Sequence, residues 1–209
     1  MTTSAKAWLN ELLIPSDDDN YAGHRNWGFT IYRTGYGSSS SDQQWQRLLE
    51  TIQTSAHEEA FDAIESEGED PKEDPELQKL WPLFRLDARS NPALAGLDID
   101  QLRQLYNSGE GGQPMNADFK SHRIFLFADV EVLSGVDSIV KCVDANYRAE
   151  DYLPRHTRGQ RYSGWMRMNA RSIANFWIEL GLHYMCDIAP PIIGGIQLVI
   201  WGHDVPYCG

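Results

Sequence analysis

The stretch Arg123–Asp129, RIFLFAD, constrains this chain more than any other. Successive side chains of an extended backbone point to opposite faces, and here both faces are apolar. Such a strand has to be covered on both sides, which places it in the middle of a sheet. Whatever else the chain forms must supply that cover.

The neighbouring segments supply strands and helices in mixed order. Trp27–Thr34 alternates Trp27, Phe29 and Ile31 among β-branched and aromatic residues and reads as a strand. After a Gly-Ser loop at Gly35–Ser40, Ser41 and Gln44 have capping-box spacing, and Trp45, Leu48, Leu49 and Ile52 recur on one helical face. Leu80–Leu86 is a short apolar run broken by Pro82, which suits an edge strand. Asp98 with Gln101 opens a second helix, lined by Ile99, Leu102 and Tyr106 and ended at Ser108-Gly109. Val130–Val136 reads as one helical turn or a bend. Ser138–Val143, Tyr162–Met168 and Ile196–Trp201 read as strands. Asn169 caps a third helix bearing Ile173, Phe176, Trp177 and Leu180. Helices are too sparse for a regular parallel array, and strands too few for a sandwich. The expectation is an α+β fold: an antiparallel or mixed sheet with helices on one face, a ferredoxin-like arrangement being one candidate. No linker divides the chain, so residues 1–209 read as one domain.

Charge is unevenly distributed. Of the net −12, the segment 58–76 carries −9, from ten acids and Lys72, and the remaining 20 acids and 17 bases leave −3. The segment reads as a solvated helix end and a mobile loop, since like charges repel and nothing apolar anchors it. An acidic chain is a poor non-specific binder of nucleic acid. No run of about 18 apolar residues suggests a membrane span, and the N-terminus lacks a secretory pattern, so a cytoplasmic setting is expected. Cys142, Cys186 and Cys208 are too few and too dispersed for a disulfide framework or a metal pair. The six histidines have no metal spacing. No metal and no cofactor is expected.

At Trp27–Gly37 (WGFTIYRTGYG), with Trp45 and Leu48 after it, the chain resembles a group of small proteins of filamentous fungi. The resemblance continues at Phe127–Leu133 (FADVEVL), Val143-Asp144 and Gly164–Met168 (GWMRM), and spans most of the chain. It implies a fungal intracellular protein from a secondary-metabolism or otherwise dispensable gene set. These motifs are not catalytic signatures, and no functional residue carries over.

Three constellations could carry chemistry. Arg33, Gly35, Tyr36 and Gly37 precede a helix start, where free amides and the helix dipole can hold an anion; the spacing is neither a P-loop nor a dinucleotide fingerprint. A plain loop with a helix cap is the alternative. Arg155, Arg158 and Arg161, with His156 among them, belong to a run of six arginines between Arg148 and Arg171. Their planar forks suit carboxylate or phosphate, unless they are merely solvated or paired with the acidic segment. Asp129 and Glu131, with Asp144 at the end of the next strand, could converge as acid and base. On a continuous strand Asp129 and Glu131 face one side; a bend after Asp129 would instead make it a cap.

Two functions follow. In one, the acidic segment binds a basic protein partner and the aromatics are ordinary core. In the other, Trp27, Tyr32, Tyr36, Trp165 and Trp177 wall a pocket for a small molecule, an anionic one if the arginines line it. Cofactor-independent isomerisation or cyclisation is then the simplest chemistry.

Overall fold

In a computed structural model of the chain, the described residues are 3–14, 23–65, 74–135, 138–152, 162–190, 192 and 199–202. The elements in order are β1 (Thr3–Ser4), α1 (Ala5–Glu11), β2 (Trp27–Arg33), α2 (Ser41–Ala63), β3 (Ile64–Glu65), α3 (Pro75–Leu80) and β4 (Phe84–Arg89). They continue with α4 (Ile99–Ser108), β5 (Ile124–Ala128), α5 (Val130–Ser134), β6 (Ile139–Asp144), β7 (Trp165–Asn169), α6 (Ile173–Leu182), α7 (Met185–Ile188) and β8 (Ile200–Trp201). β1 and β3 form a small parallel ladder. The other six strands form one mixed sheet in the order β4-β2-β5-β6-β7-β8. The fold is α+β, with both parallel and antiparallel pairs. The ferredoxin-like candidate is not confirmed by this order.

The first half is built on a parallel plan that the sequence reading did not anticipate. β2 lies between β4 and β5 and is parallel to both. From β2 the chain moves out to β4 through α2, then back across β2 to β5 through α4. Right-handed crossovers running in opposite directions must put their helices on opposite faces. The packing agrees. Trp45, Leu48, Ile52 and Ala56 of α2 join a large cluster with Phe29, Ile31 and Leu126. Leu102 and Tyr106 of α4 join a second cluster with Tyr32, Phe125, Phe127 and Val143. The expected helical layer is thus the large one, holding α1, α2, α3 and α6, while α4 covers the other face. The alternation of β5 is what allows this. Ile124, Leu126 and Ala128 serve one cluster, and Phe125 and Phe127 the other.

The second half is antiparallel from β5 through β7. Its side chains alternate in the same way, so Val140, Cys142, Met166 and Met168 enter the large cluster.

Several local expectations are revised. Ser41 is the first residue of α2 rather than its cap; its hydroxyl donates to Ser38 O at 3.0 Å. Asp98 and Gln101 do form the reciprocal cap of α4, at 2.9 and 3.0 Å. Pro82 sits in a 3-10 turn, and the strand begins only at Phe84. Trp27, Tyr32 and Trp177 are core, at most 1% exposed, where the sequence suggested pocket wall. No helix among the described residues is long and apolar enough to cross a membrane.

Candidate functional site

An open groove of about 700 Å³ lies at the junction of β2 and β5, on the face of the sheet that carries α4. It is lined by Thr34 after β2, Leu97–Asp100 at the start of α4, Asp129 and Glu131 after β5, Lys141 of β6 and Trp165 of β7. Gly35 makes the junction tight. A Cβ on it would lie 2.6 Å from the Asp129 carbonyl carbon and 2.8 Å from Val130 N, so only glycine lets the two chains approach this closely.

Lys141 is the centre of the groove. In the strand register Phe127, Lys141 and Arg167 are cross-strand neighbours on β5, β6 and β7. Lys141 is 7% exposed. Its Nζ donates to Asp129 Oδ2 at 2.6 Å and to Glu131 Oε2 at 2.7 Å. It also lies 5.7 and 5.4 Å from the ring centres of Phe127 and Trp165, within cation–π range. Arg167 donates to the second oxygen of Glu131. Asp129 Oδ1 accepts from Val132 N at 3.0 Å, capping α5.

The strand therefore ends at Ala128 and bends, as one of the two alternatives for Asp129 foresaw. Both halves of that alternative occur together. Asp129 is a cap, and it still meets Glu131, because the first turn of α5 brings both carboxylates over Lys141. Buried ion pairs need this many partners, since each desolvated charge loses its hydration. Lysine brings three protons and no acceptor, so the site offers a hydrogen-bond donor beside an indole face.

The remaining candidates lie elsewhere. Asp144 is at the opposite end of β6, paired with Ile124 at the start of β5, and does not join Asp129. Its carboxylate accepts from Asn146 N at 2.8 Å and from the Tyr162 hydroxyl at 3.3 Å. Burial raises its pKa above the usual carboxylate value. Arg33 is 4% exposed and committed internally. It donates to Gly35 O at 3.1 Å, Ser41 Oγ at 3.0 Å and Asp42 Oδ1 at 2.5 Å. Its guanidinium lies 4.4 Å from the Tyr36 ring centre. The expected anion loop is instead an arginine clasp that ties β2 to the start of α2. Arg155, His156, Arg158 and Arg161 lie outside the described residues, as does 66–73 of the acidic segment. At the edges of that segment, Asp74 caps α3 and Glu76 pairs with Lys79 at 2.6 Å.

Lys141 was missed by the sequence reading. A signal was present: one charge in the otherwise apolar run SIVKCV, sharing a face with Val143. No family model matches the chain, and no curated protein or solved structure matches it.

Proposed function

We propose that this protein binds a small organic molecule in the groove at the carboxyl ends of β2 and β5, with Lys141 as its central donor. One observation supports this above the rest. A nearly buried lysine stands between two carboxylates at the edge of an open groove with an indole beside it. Trp165 and Phe127 supply apolar wall, and Thr34 and the start of α4 also line the groove. A donor held against a ligand oxygen would polarise it, so acid-assisted isomerisation of a bound carbonyl compound is the chemistry such a site would support. The fungal, cytoplasmic setting belongs to this proposal on the sequence resemblance alone.

A thermal-shift screen tests the reading. A ligand at about 100 times its Kd adds about 2.7 kcal/mol of stability. The shift is expected with the wild-type chain and is expected to fall to about 1.4 kcal/mol in Lys141→Met, as for a ligand bound tenfold more weakly. A ligand that stabilises both equally binds elsewhere, and the proposal is then wrong.

A further inference from the structure

Each carboxylate oxygen at the centre of the groove already has a partner. Asp129 gives one oxygen to Val132 N and the other to Lys141. Glu131 gives one to Lys141 and the other to Arg167. These two anions and two cations cancel. Asp100, also on the lining, is paired with Arg103 at 2.6 Å, and Arg103 is further held by Asp144 O and Gly164 O at 3.0 and 2.9 Å. That leaves Asp98, which caps α4 and so sits at the positive end of a helix dipole.

The groove is thus close to electroneutral, and each central carboxylate oxygen already accepts one hydrogen bond. Its donors are not all used. Lys141 has three protons and two acceptors among the described residues. An anion entering here would compete with Asp129 and Glu131 for the same ammonium. A cation would meet carboxylates already bridged by Lys141 and Arg167. A neutral molecule bearing an acceptor oxygen meets neither obstacle. The third proton of Lys141 can take that oxygen, and the neighbouring Trp165 ring favours a flat apolar body.

Resting on the binding reading above, we propose that the ligand class is a neutral, flat molecule carrying a carbonyl oxygen, such as an aromatic ketone, and that organic anions are excluded.

Four matched probes test this on the wild-type chain by protein-observed NMR, following the amides of Phe127, Lys141 and Trp165. They are 2-acetylnaphthalene, 2-ethylnaphthalene, 2-naphthoate and 2-naphthylmethylammonium. The ketone is expected to bind more tightly than each of the other three by about tenfold, which is the scale of one hydrogen bond to a charged donor. In Lys141→Met its advantage over 2-ethylnaphthalene should disappear. If naphthoate or the ammonium probe perturbs these amides at lower concentration than the ketone, the ligand class is wrong and groove binding stands. If the ketone and 2-ethylnaphthalene bind alike, the donor role of Lys141 is wrong. If no probe moves these amides, both the class and the binding reading fall. The four-way comparison needs no variant, so a Lys141→Met chain that fails to fold leaves it decisive.

Discussion

Arg33, at the carboxyl end of β2, and Lys141, paired with Phe127 near the carboxyl end of β5, are both buried cations, yet they do opposite work. Arg33 has Gly35 O, Ser41, Asp42 and Ser90 around its guanidinium and two aromatic rings against it. It does not line the groove. Both have one proton more than the acceptors found among the described residues, five against four for Arg33 and three against two for Lys141, but of the two it is Lys141 that borders the groove. Burial of a charge marks a position under constraint. Whether that constraint is architectural or functional depends on whether a donor is left over and has space in front of it.

The largest expected effect tests the architectural half. Arg33→Met removes several buried hydrogen bonds and unfastens the β2–α2 junction. It should lower unfolding stability by about 3–4 kcal/mol, since each bond to a charged group is worth about 1.5–3 and the relaxed loop recovers some of it. Urea denaturation reads this directly. A loss below about 1 kcal/mol would mean that the clasp behaves like a surface pair, and the contrast with Lys141 would collapse.

A third buried base sharpens the comparison, because among the described residues its partners are a carbonyl and a hydroxyl rather than a carboxylate. His122 is stacked between Phe119 and Trp177, with its ring nitrogens bonded to Trp177 O and Ser121 Oγ at 3.1 and 2.9 Å. Burial lowers its pKa to about 4 from the ordinary 6.5. The unfolded chain then binds a proton that the folded chain refuses, so stability falls as pH drops from 6.5 towards 4. The full difference is about 3 kcal/mol. Denaturation midpoints measured across that window should slope downward on the acid side, and His122→Phe should flatten the slope. An unchanged slope in the variant would show that His122 is not the group responsible.

How much of this was legible follows from what each feature depends on. RIFLFAD announced a central strand because two-sided apolarity is a local pattern, and β5 is indeed third in a six-stranded order. The cap at Asp98 and Gln101 was legible for the same reason. The parallel pairing of β2 with β4 and β5 was not, because the long acidic excursion between α2 and α3 hid the βαβ rhythm. The site was half legible. Asp129 and Glu131 were picked out as a pair, but for a strand geometry the chain does not have. Their meeting depends on Lys141, from the next strand, and cross-strand register is a property of the sheet that no local window contains. Arg33 was noticed because glycines surround it; those glycines serve the clasp.

Lys141→Met is the functional counterpart of Arg33→Met and should cost less. It makes two hydrogen bonds where Arg33 makes four, its Asp129 and Glu131 partners are 25% and 54% exposed, so water can reach them, and Arg167 still holds Glu131. A loss of about 1–2 kcal/mol is expected, together with about tenfold weaker ligand binding in the groove. If Lys141→Met proves more damaging than Arg33→Met, Lys141 is the architectural residue of the two and the functional reading of the groove loses its main support.

The smallest effect is the most discriminating for the loop that the sequence singled out. Tyr36 is half-buried, with its ring over Arg33 and its hydroxyl 3.3 Å from Ser90 Oγ at the surface. Tyr36→Phe keeps the ring and therefore the cation–π contact, and removes only an exposed, long hydrogen bond. Stability should change by no more than about 0.5 kcal/mol. Tyr36 does not line the groove, so ligand affinity there should not change at all. If Tyr36→Phe weakened binding while leaving the denaturation midpoint alone, the phenol would be touching the ligand. The binding surface would then extend to the glycine loop, and Arg33 would have to be counted with Lys141 rather than against it.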